Sequence, residues 1–226
     1  AFAVLLLLQG HAAVADLVVS YSLTQNANSG PEIAPTLIGQ NVSGLNLTIG
    51  QGLSLASTIN IYGGSGWTNP GETDFISFGF EVDPGFMVSL ERMQFRIFVD
   101  PPNDLNSTSG PREFALFYNG DGFADAIESF DLSTGGNVQS FSPQLDSLPD
   151  LRGRVEFRLM ATTNLGFDGE ITDESSLAGI GDFIQGRTPT AFRIDGAITA
   201  IPEPATCLFL TMALGAPLLR RQRKHA

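Results

Sequence analysis

Ile76-Ser77-Phe78-Gly79-Phe80-Glu81-Val82, the turn Asp83-Pro84-Gly85 and Met93-Gln94-Phe95-Arg96-Ile97-Phe98-Val99 decide the fold class. In the first run Ile76, Phe78, Phe80 and Val82 alternate with Ser77, Gly79 and Glu81. In the second, Met93, Phe95, Ile97 and Val99 alternate with Gln94, Arg96 and Phe98. Successive strand side chains point to opposite faces, so a period of two gathers the large apolar groups on one face. Between the runs, Pro84 presets φ and Gly85 suits the left-handed position, which predicts a hairpin.

The same pattern recurs outward from this pair. Phe114, Leu116 and Tyr118 form one stripe. Val155, Phe157 and Leu159 form another, with Glu156 and Arg158 turned away, and Phe192, Ile194 and Ala197 close the set. Further strands are expected over 17–23, 45–49, 53–62 and 127–132. Turn clusters separate them, among them Gly63-Gly64-Ser65-Gly66, Asn119-Gly120-Asp121-Gly122 and Gly135-Gly136-Asn137. No helical period persists over three turns in this region. Many short alternating strands with frequent turns predict an all-β fold, an antiparallel β-sandwich over residues 16–200. A jelly-roll-like topology is the expectation, an immunoglobulin-like Greek key the alternative.

Composition narrows the chemistry. Residues 16–201 contain no Lys, His or Cys, and eight arginines face 23 acidic residues, a net charge of −15. Such a body has no imidazole base, no Ser-His-Asp triad, no thiol nucleophile and no conventional zinc site. Its acidity opposes nucleic-acid binding, which needs an electropositive footprint. Carboxylate chemistry and oxygen-ligand metal binding remain, and the expectation is a protein that is not an enzyme.

The two ends read differently. Residues 2–8 are apolar, and Ala13-Val14-Ala15 is a small-x-small cleavage pattern, so 1–15 read as an N-terminally truncated secretory signal peptide with Asp16 the mature start. At the other end, Pro202-Glu203-Pro204 precedes an apolar run over 205–219 and the basic cluster Arg220, Arg221, Arg223 and Lys224. Prolines end regular structure, the run would make a helix of about 22 Å, and a basic flank acts as a stop-transfer signal.

Prolines, apolar helix and basic tail in this order resemble the C-terminal sorting signal of bacterial PEP-CTERM exported proteins. The order of motifs over 75–200 is similar to that group as well, from the Pro-Gly turn through Gly110-Pro111, Asp121-Gly122-Phe123 and Phe157-Arg158-Leu159 to Phe192-Arg193-Ile194-Asp195. The resemblance implies export, a transmembrane sorting helix within 201–226, and processing by an exosortase and the secretion machinery. It also implies a membrane-anchored or cell-surface location and a structural or adhesive role associated with exopolysaccharide.

Four candidate sites lie within the body. Trp67, the only Trp, sits in a Gly-rich loop beside Tyr62 and is a candidate sugar platform; the alternative is a ring that plugs one end of the sandwich. Asp121 and Asp125, four apart in a Gly-rich loop, are candidate ligands for a structural Ca²⁺, though Phe130 stands where an EF-hand would close with Glu. A Ca²⁺-assisted carbohydrate-binding module using both features is the alternative function. The acidic stretch Asp168-Gly169-Glu170-Ile171-Thr172-Asp173-Glu174 is the weak candidate for an acid-pair glycoside hydrolase. The triplet Phe-Arg-aliphatic recurs at Arg96, Arg158 and Arg193, which places the arginines opposite the phenylalanines. They would form a ladder on one exterior sheet face, paired across strands with Glu81, Glu91, Glu156 or Asp195 or binding an anionic sugar.

Overall fold

The computed structural model describes residues 16–23, 30–56, 61–71, 73–100, 109–133, 138–185 and 188–202. The first half of the fold contains β1 (Asp16–Tyr21), β2 (Glu32–Ile33), β3 (Leu37–Ile38), β4 (Val42–Ile49), β5 (Ser54–Leu55), β6 (Ile61–Ser65), β7 (Phe75–Val82) and β8 (Phe86–Val99). The second contains β9 (Glu113–Tyr118), β10 (Glu128–Asp131), β11 (Val138–Phe141), β12 (Arg154–Ala161), β13 (Leu177–Gly181), β14 (Phe183–Gln185), β15 (Thr188–Thr190) and β16 (Phe192–Ala200). A single 3-10 turn at Asn119–Asp121 follows β9, and no α-helix occurs among the described residues.

Two antiparallel sheets carry the fold, neither closed into a barrel. One runs β3-β1-β16-β8-β13-β6-β5, with β11 also on β8, and the other runs β10-β9-β12-β7-β4-β2. Their inner faces meet through the apolar stripes read from the sequence. Phe78 of the six-stranded sheet lies edge-on to Phe192 of the larger one with centroids 4.7 Å apart, and Phe95 lies edge-on to Phe130 at 5.5 Å. Phe78, Phe80, Phe95, Phe114, Phe157 and Phe192 are all buried. At about 1.5–3 kcal/mol for each fully buried large apolar side chain, these rings supply much of the drive to pair the sheets.

The predicted hairpin is corrected. Gly85 does take positive φ (+87°), and the Phe86 N–H donates to the Asp83 carbonyl, so the turn forms as read. But β7 pairs with β4 and β12, whereas β8 pairs with β16, β13 and β11. The turn carries the chain from one sheet to the other. Two alternating runs flanking a turn bury the same stripe whether they pair side by side or face each other across the core, so periodicity does not separate these cases.

Two other expectations change. Gly63-Gly64-Ser65 lies within β6 rather than in a turn. A Cβ on Gly63 would meet the Ala178 carbonyl oxygen at 2.1 Å, so the glycine allows β6 and β13 to approach closely. The arginine ladder is divided: Arg158 is on β12 of the six-stranded sheet, and Arg96 and Arg193 are on β8 and β16 of the other.

Strand irregularities in the larger sheet organise an ion cluster around one buried carboxylate. Along β8, Val88 and Leu90 are buried, and the stripe resumes at Met93, a step of three. The register with β16 shifts at the same place, Leu90 opposite Gly196 and Arg92 opposite Asp195, which leaves Glu91 as the extra residue of a bulge. The Asp195 side chain is fully buried and is held by Arg92 Nε at 3.2 Å and by a short contact with Arg193. Asp195 is thus paired across strands by Arg92, whereas Arg193, for which cross-strand pairing was expected, reaches it from two residues away on the same strand.

Candidate functional site

Every second residue of β12 points away from the core: Arg154, Glu156, Arg158 and Met160. Their cross-strand neighbours build the outer face of the six-stranded sheet. Ser77 on β7 and Phe117 on β9 flank Arg158, while Phe75 and Ala115 flank Met160. Phe75 and Phe117 occupy the polar parity of their strands, so two large rings are displayed on the face that the alternation assigns to solvent. Neither is in the buried core.

A third ring reaches this face from the loop after β9. The Asn119 side chain docks that loop onto β12, its Nδ2 donating to the Arg154 carbonyl (2.9 Å) and its Oδ1 accepting from the Glu156 N–H (2.9 Å). Phe123 closes the loop in the left-handed region, φ +63°, with its N–H on the Tyr118 carbonyl. A bulky residue with positive φ is strained, and such strain persists only where the surroundings impose it. Here the fixed conformation sets the Phe123 ring 3.9 Å from the Arg158 guanidinium carbon, and the Phe75 ring lies 4.3 Å from the same atom. Two cation–π contacts therefore hold one arginine.

Glu156 fixes that arginine from the side. Its Oε1 accepts from Arg158 Nε at 3.1 Å and its Oε2 from Arg154 Nη2 at 3.2 Å, so both carboxylate oxygens are engaged. Beside the clamp is an open hollow of about 400 Å³ lined by Gly71, Phe117, Gly122, Phe123, Arg158 and Met160. On the other side of Glu156 a smaller hollow of about 190 Å³ is lined by polar groups including Asn46, Thr48, Ser77 and Arg154. The two hollows share one sheet face. From β9 to β4 this face spans three strand gaps, about 14 Å at the usual strand spacing.

The residues singled out by sequence lie elsewhere. Trp67 is 1% exposed, its Nε1 donates to the Gly64 carbonyl (2.8 Å), and its ring packs edge-on against Phe114. Tyr62 is fully buried, with its hydroxyl on the Pro31 carbonyl; burial, with the charge of Glu32 adding to it, pushes the phenol up to about 12. Neither ring offers a face to a ligand, which corrects the sugar-platform reading in favour of the plug. A Gly-rich setting gave no sign that the loop folds inward over the Trp.

Asp121 accepts from the backbone N–H groups of Ala124 and Asp125, so its two oxygens shape the loop that carries Phe123. Asp125 is exposed. Among the described residues no group of three or more His, Cys, Asp or Glu side chains is arranged to hold a metal. Asp168 accepts from the Ser109 hydroxyl (2.8 Å) and from the Glu170 N–H, again a loop-shaping pattern. Burial pushes its carboxyl up, but these hydrogen bonds together outweigh burial and hold it below its ordinary range.

Of the sorting motif, Pro202 is described, whereas Glu203, Pro204, Arg220, Arg221, Arg223 and Lys224 lie outside the described residues, as do 1–15. Among the described residues no helix is long and apolar enough to cross a membrane. No protein-family model matches the chain, and no curated protein matches it.

Proposed function

We propose that this protein is an exported, non-catalytic surface sandwich that holds an extracellular glycan across the outer face of its six-stranded sheet. The observation that carries the reading is Arg158, fixed between Phe75 and Phe123 and flanked by Phe117, on a face with a ring-lined hollow at one side and a polar hollow at the other. Sugars present apolar C–H faces and a rim of hydroxyls, so half-buried rings at the surface next to Asn, Thr, Ser, Glu and Arg side chains match both properties. A sheet face built on rigid strands also places these groups without an ordering cost at binding.

On this reading the sandwich is jelly-roll-like, with β1 and β16, the first and last described strands, side by side. Residues 1–15 direct export, and 201–226 supply the sorting motif, membrane helix and basic tail on which an exosortase acts. The role is structural or adhesive within an exopolysaccharide matrix. The contacts invoked here come from Arg158 and the rings around it, and no Ca²⁺ takes part in them.

Binding of the full chain to a polysaccharide panel, with Ca²⁺ and then with EDTA, tests the proposal. Binding that persists in EDTA and is lost in Phe123→Ala or Phe117→Ala is expected. Failure to bind any polysaccharide would remove the glycan reading. The address is tested separately by the intact mass of the protein recovered from cells: a chain starting at Asp16 is expected, and an unprocessed cytosolic chain would overturn it.

A further inference from the structure

Resting on the glycan reading, we infer that the glycan is acidic and that a sugar carboxylate sits against Arg158. The guanidinium is held at Nε by Glu156, and this is the only hydrogen bond it makes among the described residues. Its terminal nitrogens are not sealed in the interior either, since the buried nitrogen and oxygen atoms without a partner are Ser20 Oγ and Arg96 Nε alone among the described residues. The two terminal amino groups are thus within reach of solvent, and the guanidinium plane is held by two rings and a carboxylate. A planar fork with its entropy already spent suits a carboxylate, which accepts two parallel hydrogen bonds.

The surroundings favour the same class of ligand. The hollow beside Arg158 is lined by Gly71, Phe117, Gly122, Phe123 and Met160, with no carboxylate in its wall among the described residues, so a bound anion meets mostly apolar groups and one fixed cation there. Glu156 lies on the other side and spends both oxygens on Arg154 and Arg158. General affinity for polyanions is not the source, because the body carries a net charge of −15 and repels them at a distance. Attraction has to be local, and Arg158 is where it is placed.

Hexamers of galacturonate, mannuronate and glucuronate, each compared with the same oligomer after reduction of its carboxyls to alcohols, test this in calorimetric titrations with the full chain. At least one acidic hexamer is expected to bind about 10- to 100-fold more tightly than its reduced form, the range for a charge-assisted hydrogen-bonded contact. Arg158→Gln should abolish that difference, and Arg158→Lys should restore only part of it, because a lysine keeps the charge but not the fork. Thermal unfolding of each variant confirms that the sandwich is intact, and Phe123→Ala gives an independent loss by releasing the arginine. If acidic and reduced forms bind equally and Arg158→Gln weakens both alike, the acidic assignment is wrong while the glycan reading stands. If no hexamer and no polysaccharide of the wider panel binds, both fall.

Discussion

Tyr21→Phe isolates one hydroxyl that joins the two sheets. Tyr21 sits on β1, yet its hydroxyl crosses the core to the six-stranded sheet, donating to the Leu45 carbonyl (2.7 Å) or the Gly79 carbonyl (3.0 Å) and accepting from the Gly79 N–H (3.2 Å). The partners sit where the β4–β7 register breaks, between Leu45 and Thr48, so the irregularity leaves backbone groups without a ladder partner. Phe keeps the ring, which stacks on Phe192 at 5.2 Å, and removes only the bridge. A buried N–H left without an acceptor costs about 1–3 kcal/mol, and the part-buried Leu45 carbonyl adds less. The expected loss is therefore about 2 kcal/mol, or roughly 4–8 °C in Tm for a domain of this size. Urea unfolding followed by the fluorescence of Trp67, a buried single reporter, measures it directly. The slope against urea should stay constant, since the same surface is exposed. A variant within about 0.5 kcal/mol of the parent would mean that the bulge does not depend on Tyr21.

Gly63→Ala should destabilise by about 3 kcal/mol or prevent folding, because the new methyl meets backbone, the Ala178 carbonyl at 2.1 Å and Gly179 Cα at 2.5 Å, which cannot swing aside; soluble yield and urea midpoints check this. Replacing both Arg92 and Arg193 by Met should cost about 3 kcal/mol, more than either single change, because the buried Asp195 carboxylate loses both cations; additive or absent effects in the urea midpoint would refute the cluster. Asp168 has a lowered pKa in the fold, so its contribution is fully present above the ordinary carboxylate range and is lost as pH falls below about 4. Tm measured against pH should accordingly show a shallower acid limb in Asp168→Asn than in the parent.

The apolar stripes were legible because strand geometry writes itself into sequence with a period of two. Ile76 to Val82, Phe114 to Tyr118 and Val155 to Leu159 all lie where the alternation puts them, with those large rings inward. What the period does not encode is the partner of each strand, and the arch at Asp83–Gly85 follows from that gap. The strand β13 and the glycine-rich part of β6 beyond Tyr62 are not legible for a different reason: Gly63, Gly64, Gly179 and Gly181 give no side-chain signal, although their lack of side chains is what brings the two backbones together. Trp67 and Tyr62 drew attention as rare aromatics in a polar, Gly-rich stretch, but composition does not say which way a loop folds. The clamp around Arg158 did leave a trace. Phe75 and Phe117 stand at the polar parity of otherwise regular strands, and an aromatic at the wrong parity is a ring meant for the surface. Phe123 left none, because its position depends on a loop docked by Asn119.

The pairing of β1 with β16 governs when this chain can fold. Asp16 lies opposite Gly196 and Tyr21 opposite Phe192, so the first of the described strands is completed only by the last of them. At ordinary synthesis rates of 5–20 residues per second, β1 waits about 10–40 s for its partner. Connections that pass between sheets, as at Asp83–Gly85, replace local pairing with pairing over long stretches of chain, although β5–β6 and β9–β10 do pair as sequence neighbours. Closure of the larger sheet consequently belongs to the end of synthesis, when residues 192–200 arrive.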